Sequence, residues 1–312
     1  MNKIKVAFFG TSDRSQPILE CLGTNFDLVL CATKTDRIVG RHQKTEKTLV
    51  KKWSEQKGID VFEIENFKKD ENGLVKALIK HGVELIVVAD FGFIIGKELI
   101  DKYKDKIINV HFSLLPKYRG ANPIQAAIIR GEKETGITYL LMTRGLDEGP
   151  ILHQIKLDIK GNETSGELYE VLFKRAAQNL SDVVKKYLNK EIVPVEQNHE
   201  KASFYYSPSH PKSTYIYKED ARINWCESLK QIERKVRAFN PWPIAWTTLG
   251  DLEKSEKAEQ MELKEGVKKD LRIKIYSAEL KEGKIIPKTI QVTGKNKTKW
   301  EDFKNGYTVQ AK

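Results

Sequence analysis

Short, continuously apolar runs alternate with helix-spaced segments through the first part of this chain. Four such runs are "KIKVAFFG", "DLVLCAT", "ELIVVAD" and "KIINVHF". Runs without polar alternation are typical of strands that are buried on both faces of a parallel sheet. The segments between them, such as residues 48–58 and 74–82, have helical spacing and end in glycine. This alternation predicts a doubly wound, Rossmann-like α/β domain with a parallel sheet.

The same pattern continues until a long helix closes it. Residues 136–143 and 151–159 predict two further strands, and residues 164–188 predict an amphipathic helix. The polar stretch that follows contains prolines and has no sustained period, which is typical of a linker. We therefore place the first domain at residues 1–189 and the linker at residues 190–210.

The remaining residues, 211–312, have a different pattern. Their apolar positions form one helical segment and three strand-like runs, at 228–239, 243–250, 271–280 and 288–294. A helix-poor, strand-rich segment of this size predicts a small OB-like β-barrel. We expect Trp225, Phe239 and Trp242 to be core anchors of this domain rather than platforms for stacked bases. The highly charged residues 253–270 predict a solvated hairpin extension.

Charge distinguishes the C-terminal part of the chain. Residues 201–312 hold 23 Lys and Arg against 15 Asp and Glu, within a chain of net charge +11. Such an excess favours a polyanionic partner, and nucleic acid rather than a membrane, because no segment combines a basic face with a large apolar face. A lysine-rich composition can also produce a basic domain that has no such partner.

Several classes of protein are disfavoured by composition. No apolar stretch is long enough to span a bilayer, and the N-terminus lacks the pattern of a signal peptide, so we expect a cytoplasmic protein. Three cysteines without CxxC spacing argue against disulfides and against a cysteine zinc site. The histidines are scattered, so we expect no metal. Nothing predicts a coiled coil, and we expect a monomer.

Two polar side chains stand where the strand at 106–112 ends. Asn109 and His111 alternate along an extended strand and so project to the same side. Sites of open α/β sheets lie at the carboxyl ends of strands. A second loop, "TRGLDEGP", also follows a predicted strand and holds Asp147 between two glycines. We expect the amide, the imidazole and the carboxylate to converge for acyl chemistry, although an isolated histidine at a strand end often only hydrogen-bonds a loop.

The stretch "NVHFSLLPKYRGANPIQAAIIRGEKETGITYLLMTRGLDEGPIL" resembles the folate-dependent formyltransferase family. That family's signature is Asn-x-His, then Ser-Leu-Leu-Pro-x-x-Arg-Gly, then Gly-Leu-Asp-x-Gly. The resemblance implies transfer of a formyl group from 10-formyltetrahydrofolate to an amine, with Asn109, His111 and Asp147 in the catalytic positions. It also implies a set of folate-binding residues, which are Phe91, Gly92, Ile94, Ser113, Leu114, Leu115, Pro116 and Gly145.

Formyl transfer suits these residue types. As an amine attacks the formyl carbon, negative charge grows on the formyl oxygen, and hydrogen-bond donors stabilise it. Asn109 supplies an uncharged donor, and His111 can donate to the oxygen or carry a proton. Asp147 can fix the tautomer of His111 or share in proton removal. Which group takes the amine proton stays open at this stage.

The C-terminal part and one loop resemble the members of the family that act on tRNA. The similarity lies in "ARINW" and "RAFNPWP", and in "TDRIVGRHQKT", which is similar to an insertion loop that reaches the tRNA acceptor stem. In this loop Ile38 replaces the usual proline. The resemblance implies tRNA contacts by Arg37, Arg41, Lys44 and Arg119. A solvated loop without a ligand is the alternative for "RHQK", and the resemblance disfavours it, whereas Arg119 can equally cap its own loop.

The combined resemblance implies that the acceptor is the α-amino group of methionine carried by initiator tRNA. Two alternatives remain. One is a formyltransferase for a small amine, such as an amino sugar on a nucleotide. The other is an RNA-binding relative that has lost catalysis.

Overall fold

The computed structural model describes residues 3–39 and 44–309. The chain divides into two compact units, each assembled from separate stretches. The first unit consists of Met1–Arg119, Gly136–Leu157 and Tyr169–Ser203, and the second of Gly120–Thr135, Asp158–Leu168 and Phe204–Lys312. Our linear boundaries between a catalytic domain, a linker and a basic domain stay a prediction.

The first unit is built on a mixed sheet, in which the described residues form seven strands. The first nine strands among the described residues are β1 (Lys5–Phe9), β2 (Asp27–Lys34), β3 (Arg37–Val39), β4 (Lys44–Glu46), β5 (Asp60–Ile64), β6 (Leu85–Ala89), β7 (Ile107–His111), β8 (Glu134–Leu141) and β9 (Ile151–Asp158). The order in the sheet is β5-β2-β1-β6-β7-β8-β9, while β3 and β4 form a separate hairpin. The central strands are parallel: β1 pairs with β2 and β6, and β6 with β7.

The apolar runs form the buried centre of this sheet, as predicted. Val6, Ala7, Phe8 and Phe9 of β1 are 0% exposed, and all five residues of β6 are buried. A strand with helices on both faces has no solvated side, so its residues are apolar along its whole length. The Rossmann-like α/β class is confirmed.

Helices follow the strands in the alternating order that the sequence predicts. The helices of the chain are α1 (Gln16–Asn25), α2 (Leu49–Lys57), α3 (Phe67–Lys80), α4 (Lys97–Lys102), α5 (Pro123–Arg130), α6 (Ser165–Leu188), α7 (Leu229–Ala238), α8 (Leu249–Lys254) and α9 (Trp300–Tyr307). In α2, the side chain of Thr48 caps the first turn, and Gly58 ends the helix in the left-handed region at φ 68°. Within the described residues, no helix has the length and apolar character needed to cross a membrane.

Strand β8 differs from the parallel arrangement that we predicted. It pairs antiparallel with β7, so that His111 lies opposite Thr138 and Ile108 opposite Leu141. A parallel strand requires a crossover back to the other edge of the sheet, whereas β8 begins at the edge where β7 ends. The carboxyl end of β8 therefore lies beside the start of β7, not beside His111.

The second unit contains an antiparallel sheet, in agreement with the predicted change of fold. Its strands are β10 (Ala245–Thr248), β11 (Arg272–Lys281), β12 (Lys284–Val292) and β13 (Thr298–Lys299), in that order. Ile273 pairs with Val292 and Ile275 with Ile290, and all four side chains are buried. Period-two burial on paired strands forms one face of the core.

Two expectations about the second unit are wrong. Trp242 is not a core anchor: it is 52% exposed, because it lies in a turn between two prolines, whereas Phe239 at the end of α7 is 0% exposed as predicted. Residues 253–270 are not a solvated hairpin extension. Ala258 and Leu263 are buried there, and the segment begins in the last two residues of α8 before an irregular connection to β11. Because most residues of this segment are charged, its sequence does not indicate that a few of its side chains are buried in the core.

Asp220 organises a buried hydrogen-bond cluster in the second unit. Its carboxylate accepts bonds from Ser207 Oγ at 2.7 and 2.9 Å and from the backbone N–H of Ser209 and of Tyr217. Burial by itself would raise the pKa of Asp220, but the hydrogen bonds from Ser209, Tyr217 and Ser207 outweigh burial and lower it.

We predict that Asp220→Asn lowers the free energy of unfolding by about 1.5–3 kcal/mol at neutral pH, the usual contribution of hydrogen bonds to a charged group. Because the folded pKa is lowered, this stabilisation is present above the ordinary pKa of 3.8 and is lost as the pH falls through the folded value. Unfolding measured across this range, with the exposed Asp270→Asn as the control, should show a difference that shrinks in acid. A difference that does not change with pH would contradict the prediction.

Candidate active site

Asn109 and His111 occupy the end of β7, the strand between β6 and β8. Residue 109 is paired with Val88 on one side and with Leu140 on the other. Because the two residues are separated by one position on a paired strand, their side chains project from the same face. His111 is 6% exposed and Asn109 is half-buried.

Asp147 contacts both of these side chains. Asn109 Nδ2 donates to Asp147 Oδ1 at 3.2 Å, and His111 Nδ1 lies 3.5 Å from Asp147 Oδ2. One oxygen of the carboxylate thus accepts from the amide of Asn109, and the other faces the imidazole of His111. The structure brings together the three side chains that the sequence analysis singled out.

Asp147 reaches β7 by a different route from the one that we predicted. We placed it at the carboxyl end of a parallel strand, but β8 is antiparallel and its end lies beside Ile107, whose carbonyl accepts from the N–H of Met142 at 2.9 Å. The loop must therefore fold back along the sheet. Gly149 permits this turn, since a Cβ there would collide with the carbonyl oxygen of Leu141. Asp147 itself adopts φ 48°, a left-handed conformation that Asp tolerates better than most residues.

The tautomer of His111 follows from its partners. Nε2 lies 2.9 Å from the backbone oxygen of Tyr118. A carbonyl oxygen only accepts hydrogen bonds, so Nε2 carries the hydrogen. Nδ1 is then the nitrogen that faces Oδ2 of Asp147. The carbonyl of Tyr118 therefore fixes the tautomer of His111. From the sequence, we considered Asp147 for this role.

Residues 112–120 form a tightly bonded loop after β7. Ser113 Oγ donates to the carbonyl of Lys117 at 2.6 Å, and the backbone N–H of Leu115 donates to Thr138 Oγ1 at 3.2 Å. Gln154 Nε2 donates to the carbonyl of Leu115 at 2.9 Å. Of the loop residues predicted to bind folate, Ser113 and Leu115 are buried, and Leu114 and Pro116 are half-buried.

The other predicted folate segment, residues 91–94, follows β6 beside an aromatic cluster. The ring of Phe91 lies 5.4 Å from that of Phe9 and 5.3 Å from that of Phe93, measured between centroids. The backbone N–H of Gly92 donates to Thr11 Oγ1 at 3.1 Å, and a Cβ at Gly92 would meet Lys34 Nζ. Ile94 is 80% exposed. Gly145 is half-buried in the loop that carries Asp147.

The residues predicted to contact tRNA lie in different settings. Arg37 begins β3 and forms an exposed ion pair with Glu46 at 3.3 Å. The backbone of Lys44 pairs with Val39 in the β3–β4 hairpin, and Arg41 lies outside the described residues. Arg119 is 5% exposed, and its guanidinium donates to Gln197 Oε1. Of the two roles considered for Arg119, this geometry favours the structural one, while its contact with tRNA stays a prediction.

Sequence reasoning missed two groups that hold the site, the carbonyl of Tyr118 and the side chain of Gln197. Gln197 Nε2 donates to the carbonyls of Asp147 and Gly149 at 2.9 and 2.8 Å. Its surroundings in the sequence are polar and resemble a linker, so no periodicity indicated that it is buried. Among residues 3–39 and 44–309, no three His, Cys, Asp or Glu side chains are grouped as metal ligands.

The fold and the site together define an α/β enzyme in which an amide, an imidazole and a carboxylate meet at the end of a strand. The protein-family model described as formyl transferase matches residues 2–184. A second model, described as formyl transferase, C-terminal domain, matches residues 215–308. The chain belongs to the formyl transferase family.

Two curated relatives carry the same name. A methionyl-tRNA formyltransferase from Legionella pneumophila (strain Paris) is 37% identical over 253 residues, covering 81% of this chain and 77% of the relative. One from Bacillus cytotoxicus is 40% identical over 248 residues, covering 79% of this chain and 76% of the relative. Both similarities span about four-fifths of the chain.

Solved structures share the fold at lower identity. Methionyl-tRNA formyltransferase from Clostridium thermocellum has a TM-score of 0.55 at 20% identity, covering 94% of this chain and 99% of that one. An N-formyltransferase from Helicobacter canadensis, in complex with folinic acid and dTDP-3-aminofucose, has a TM-score of 0.56 at 21% identity, with 88% and 95% coverage. At such identities the likeness concerns the fold and does not distinguish between acceptors.

Proposed function

We propose that this chain transfers the formyl group of 10-formyltetrahydrofolate to the α-amino group of methionine on initiator methionyl-tRNA. The observation that carries the proposal is its similarity, at 37–40% identity along about four-fifths of the chain, to curated methionyl-tRNA formyltransferases. The contacts among Asn109, His111 and Asp147 support the chemistry independently of that similarity.

The amide of Asn109 suits a formyl oxygen. Its Nδ2 carries two hydrogens, and one is directed to Asp147 Oδ1. The second hydrogen is the donor that we assign to the formyl oxygen as negative charge develops there. Because the amide is held by Asp147, its orientation is set before the substrates bind, and a pre-oriented donor requires little reorganisation during the reaction.

His111 and Asp147 are the pair to which we assign the proton of the attacking amine. Nδ1 of His111 exchanges a proton while Nε2 stays bonded to Tyr118, and Oδ2 of Asp147 faces that nitrogen at 3.5 Å. A base placed beside the reacting amine accepts its proton as the new carbon–nitrogen bond forms. The bond between the formyl carbon and N10 of the donor then breaks, and N10 takes up a proton as tetrahydrofolate leaves. The burial of His111 at 6% exposure keeps bulk water from competing for that proton.

The binding roles are part of the same proposal. Folate binding is assigned to eight residues of the segments after β6, β7 and β8: Phe91, Gly92, Ile94, Ser113, Leu114, Leu115, Pro116 and Gly145. Contacts with tRNA are assigned to Arg37, Arg41 and Lys44 and to the basic region at 211–312, after the catalytic domain at 1–189 and the linker at 190–210. The 80% exposure of Ile94 supports its assignment, because an exposed large apolar side chain beside an aromatic cluster suits a flat ring.

Formylation assays test the proposal directly. The purified protein is incubated with 10-formyltetrahydrofolate and one of three acceptors: charged initiator methionyl-tRNA, free methionine, or a nucleotide-linked amino sugar. Formylmethionine recovered after mild deacylation of the tRNA is the expected product. Formylation of the amino sugar alone would overturn the assigned acceptor, and no product with any amine would overturn the enzymatic role.

We predict that binding to tRNA weakens steeply with salt. Phosphate contacts by Lys and Arg release counterions, and a few such contacts lower affinity at least about tenfold between about 50 and 200 mM monovalent salt. The Lys and Arg side chains of residues 201–312 supply the positive charges for these contacts. Equilibrium binding to uncharged initiator tRNA, measured across this range, checks the prediction. A flat dependence would contradict phosphate contacts as the main source of affinity.

A further inference from the structure

One buried amide connects the two loops that hold the proposed catalytic groups. Gln197 is 5% exposed, and its Nε2 donates to the carbonyl of Asp147 at 2.9 Å and to the carbonyl of Gly149 at 2.8 Å. Both hydrogens of the amide are therefore used on the backbone of the loop that carries Asp147. The bonds are made to the main chain, so they hold the loop and leave the carboxylate of Asp147 to contact His111 and Asn109.

The other end of the same amide is bound to the loop after β7. Gln197 Oε1 accepts from Arg119 Nη2 at 2.8 Å and from Arg119 Nε at 3.2 Å. Two guanidinium nitrogens, Nη2 and Nη1, also lie 3.4 and 3.5 Å from His199 Nδ1. Because a guanidinium group can only donate hydrogen bonds, Nδ1 is the acceptor. The backbone N–H of Arg119 donates to the carbonyl of Ser203 at 2.9 Å. Arg119 is itself 5% exposed, so its bonds to Gln197 are made away from water, whereas His199 is exposed.

Arg119 directly follows Tyr118, whose carbonyl holds Nε2 of His111. A continuous path of hydrogen bonds and backbone thus runs from His111 through Tyr118, Arg119 and Gln197 to Asp147. At its ends, the imidazole and the carboxylate face each other at 3.5 Å, just beyond hydrogen-bond length. A displacement of either loop by less than an ångström would change whether a proton can pass between them.

We propose that Gln197 is a positioning residue for the transfer reaction, which sets Asp147 against His111 and Asn109. This inference rests on the proposed function, because it takes Asp147 and His111 as the proton-handling pair. Gln197 is assigned no contact with either substrate. It acts by fixing the backbone of one catalytic loop relative to the other through Arg119.

The chemistry of the amide allows its two functions to be separated. Gln197→Glu has nearly the same shape and keeps an acceptor, now charged, for Arg119. The variant has no amide hydrogens, so oxygens face the carbonyls of Asp147 and Gly149 and the loop loses both bonds. Gln197→Met removes the donor and the acceptor together. If the residue only supports folding, Gln197→Glu should lower the melting temperature and leave the kcat of the folded protein near that of the wild type.

The experiment measures kcat, the KM for each substrate and the melting temperature for the wild type, Gln197→Glu and Gln197→Met. Tyr139→Phe is the matched control, since it also loses a buried hydrogen bond, from Tyr139 Oη to the carbonyl of Ala176 at 2.7 Å, away from the site. We expect Gln197→Glu to lose kcat on the order of 10²-fold, the effect of a misplaced catalytic group. Both KM values should stay within about twofold of the wild type, as expected when only the transition state is affected. The control should keep its kcat.

A kcat for Gln197→Glu within about twofold of the wild type would overturn the positioning role, and so would an equal loss of kcat in Tyr139→Phe. If Gln197→Met fails to fold, Gln197→Glu still decides the question. Failure of the proposed function gives a different result. In that case the wild type does not formylate methionyl-tRNA, or Asp147→Asn retains full activity, and this is independent of any Gln197 variant.

Discussion

Replacing Asn109 by alanine should lower kcat for formyl transfer about 10²–10³-fold. The substitution removes the donor that we assign to the formyl oxygen, and loss of one such donor commonly raises the barrier by about 2.7–4 kcal/mol. The KM for each substrate should change little, because the interaction strengthens only as charge develops in the transition state. Single-turnover formylation of initiator methionyl-tRNA, with saturating 10-formyltetrahydrofolate, measures the effect.

Asn179→Ala is a suitable control for that measurement. Asn179 lies on α6, and its amide donates to the carbonyl of Arg175 on the same helix. Its loss should leave kcat unchanged. If Asn109→Ala turns over within about twofold of the wild-type rate, Asn109 is not the donor to the formyl oxygen, and that assignment is wrong.

Asp147→Asn should lower kcat by about 10²–10⁴-fold, the range expected when a positioned acid–base group is lost. The amide is nearly isosteric with the carboxylate, and its oxygen can still accept from Asn109 Nδ2. It carries no charge opposite Nδ1 of His111, so it cannot stabilise the protonated imidazole or take up the proton of the amine. Asn also tolerates the left-handed backbone conformation at φ 48°, so the loss should not arise from strain.

The rate of this variant should be compared with that of Asp182→Asn. Asp182 also forms an ion pair, with Lys186 at 3.0 Å, but its side chain is 68% exposed on α6. Removing it should leave the rate of transfer unchanged. If Asp147→Asn and Asp182→Asn both retain wild-type kcat, the carboxylate that faces His111 takes no part in proton transfer.

Local sequence predicts the elements of this fold well, because burial leaves a regular pattern. The fully buried strands β1 and β6 are continuously apolar, and α2 carries its capping threonine and its terminal glycine. The direction of β8 could not be obtained in this way. Strand direction depends on the edge at which a connection returns, and an apolar run reads the same in either direction.

Part of the candidate site was also accessible from the sequence. The spacing of Asn109 and His111 places both side chains on one face of a strand, and the loop at 143–150, which follows a predicted strand, singled out Asp147 between two glycines. The groups that orient them were not accessible. The tautomer of His111 depends on a backbone carbonyl, which every residue has, and the setting of Asp147 depends on Gln197, which lies 50 positions further along the chain.

Errors in the second unit have the same origin. Trp242 has the large apolar side chain that usually marks a core position, yet a turn between two prolines leaves it 52% exposed. Ala258 and Leu263 are buried within a segment whose composition is mostly charged. Composition describes the average environment of a segment, whereas burial is decided one side chain at a time by what packs against it.

The sequence by itself determined the class of the fold, the positions of most helices and strands, the excess of positive charge, and three side chains suited to formyl transfer. These depend on periodicity, composition and short-range motifs. Only the tertiary structure decided how Asp147 reaches β7, which nitrogen of His111 faces Asp147, and how Arg119 and Gln197 connect the two loops. Hydrogen bonds between distant residues depend on distances and angles in space, and local sequence does not encode these.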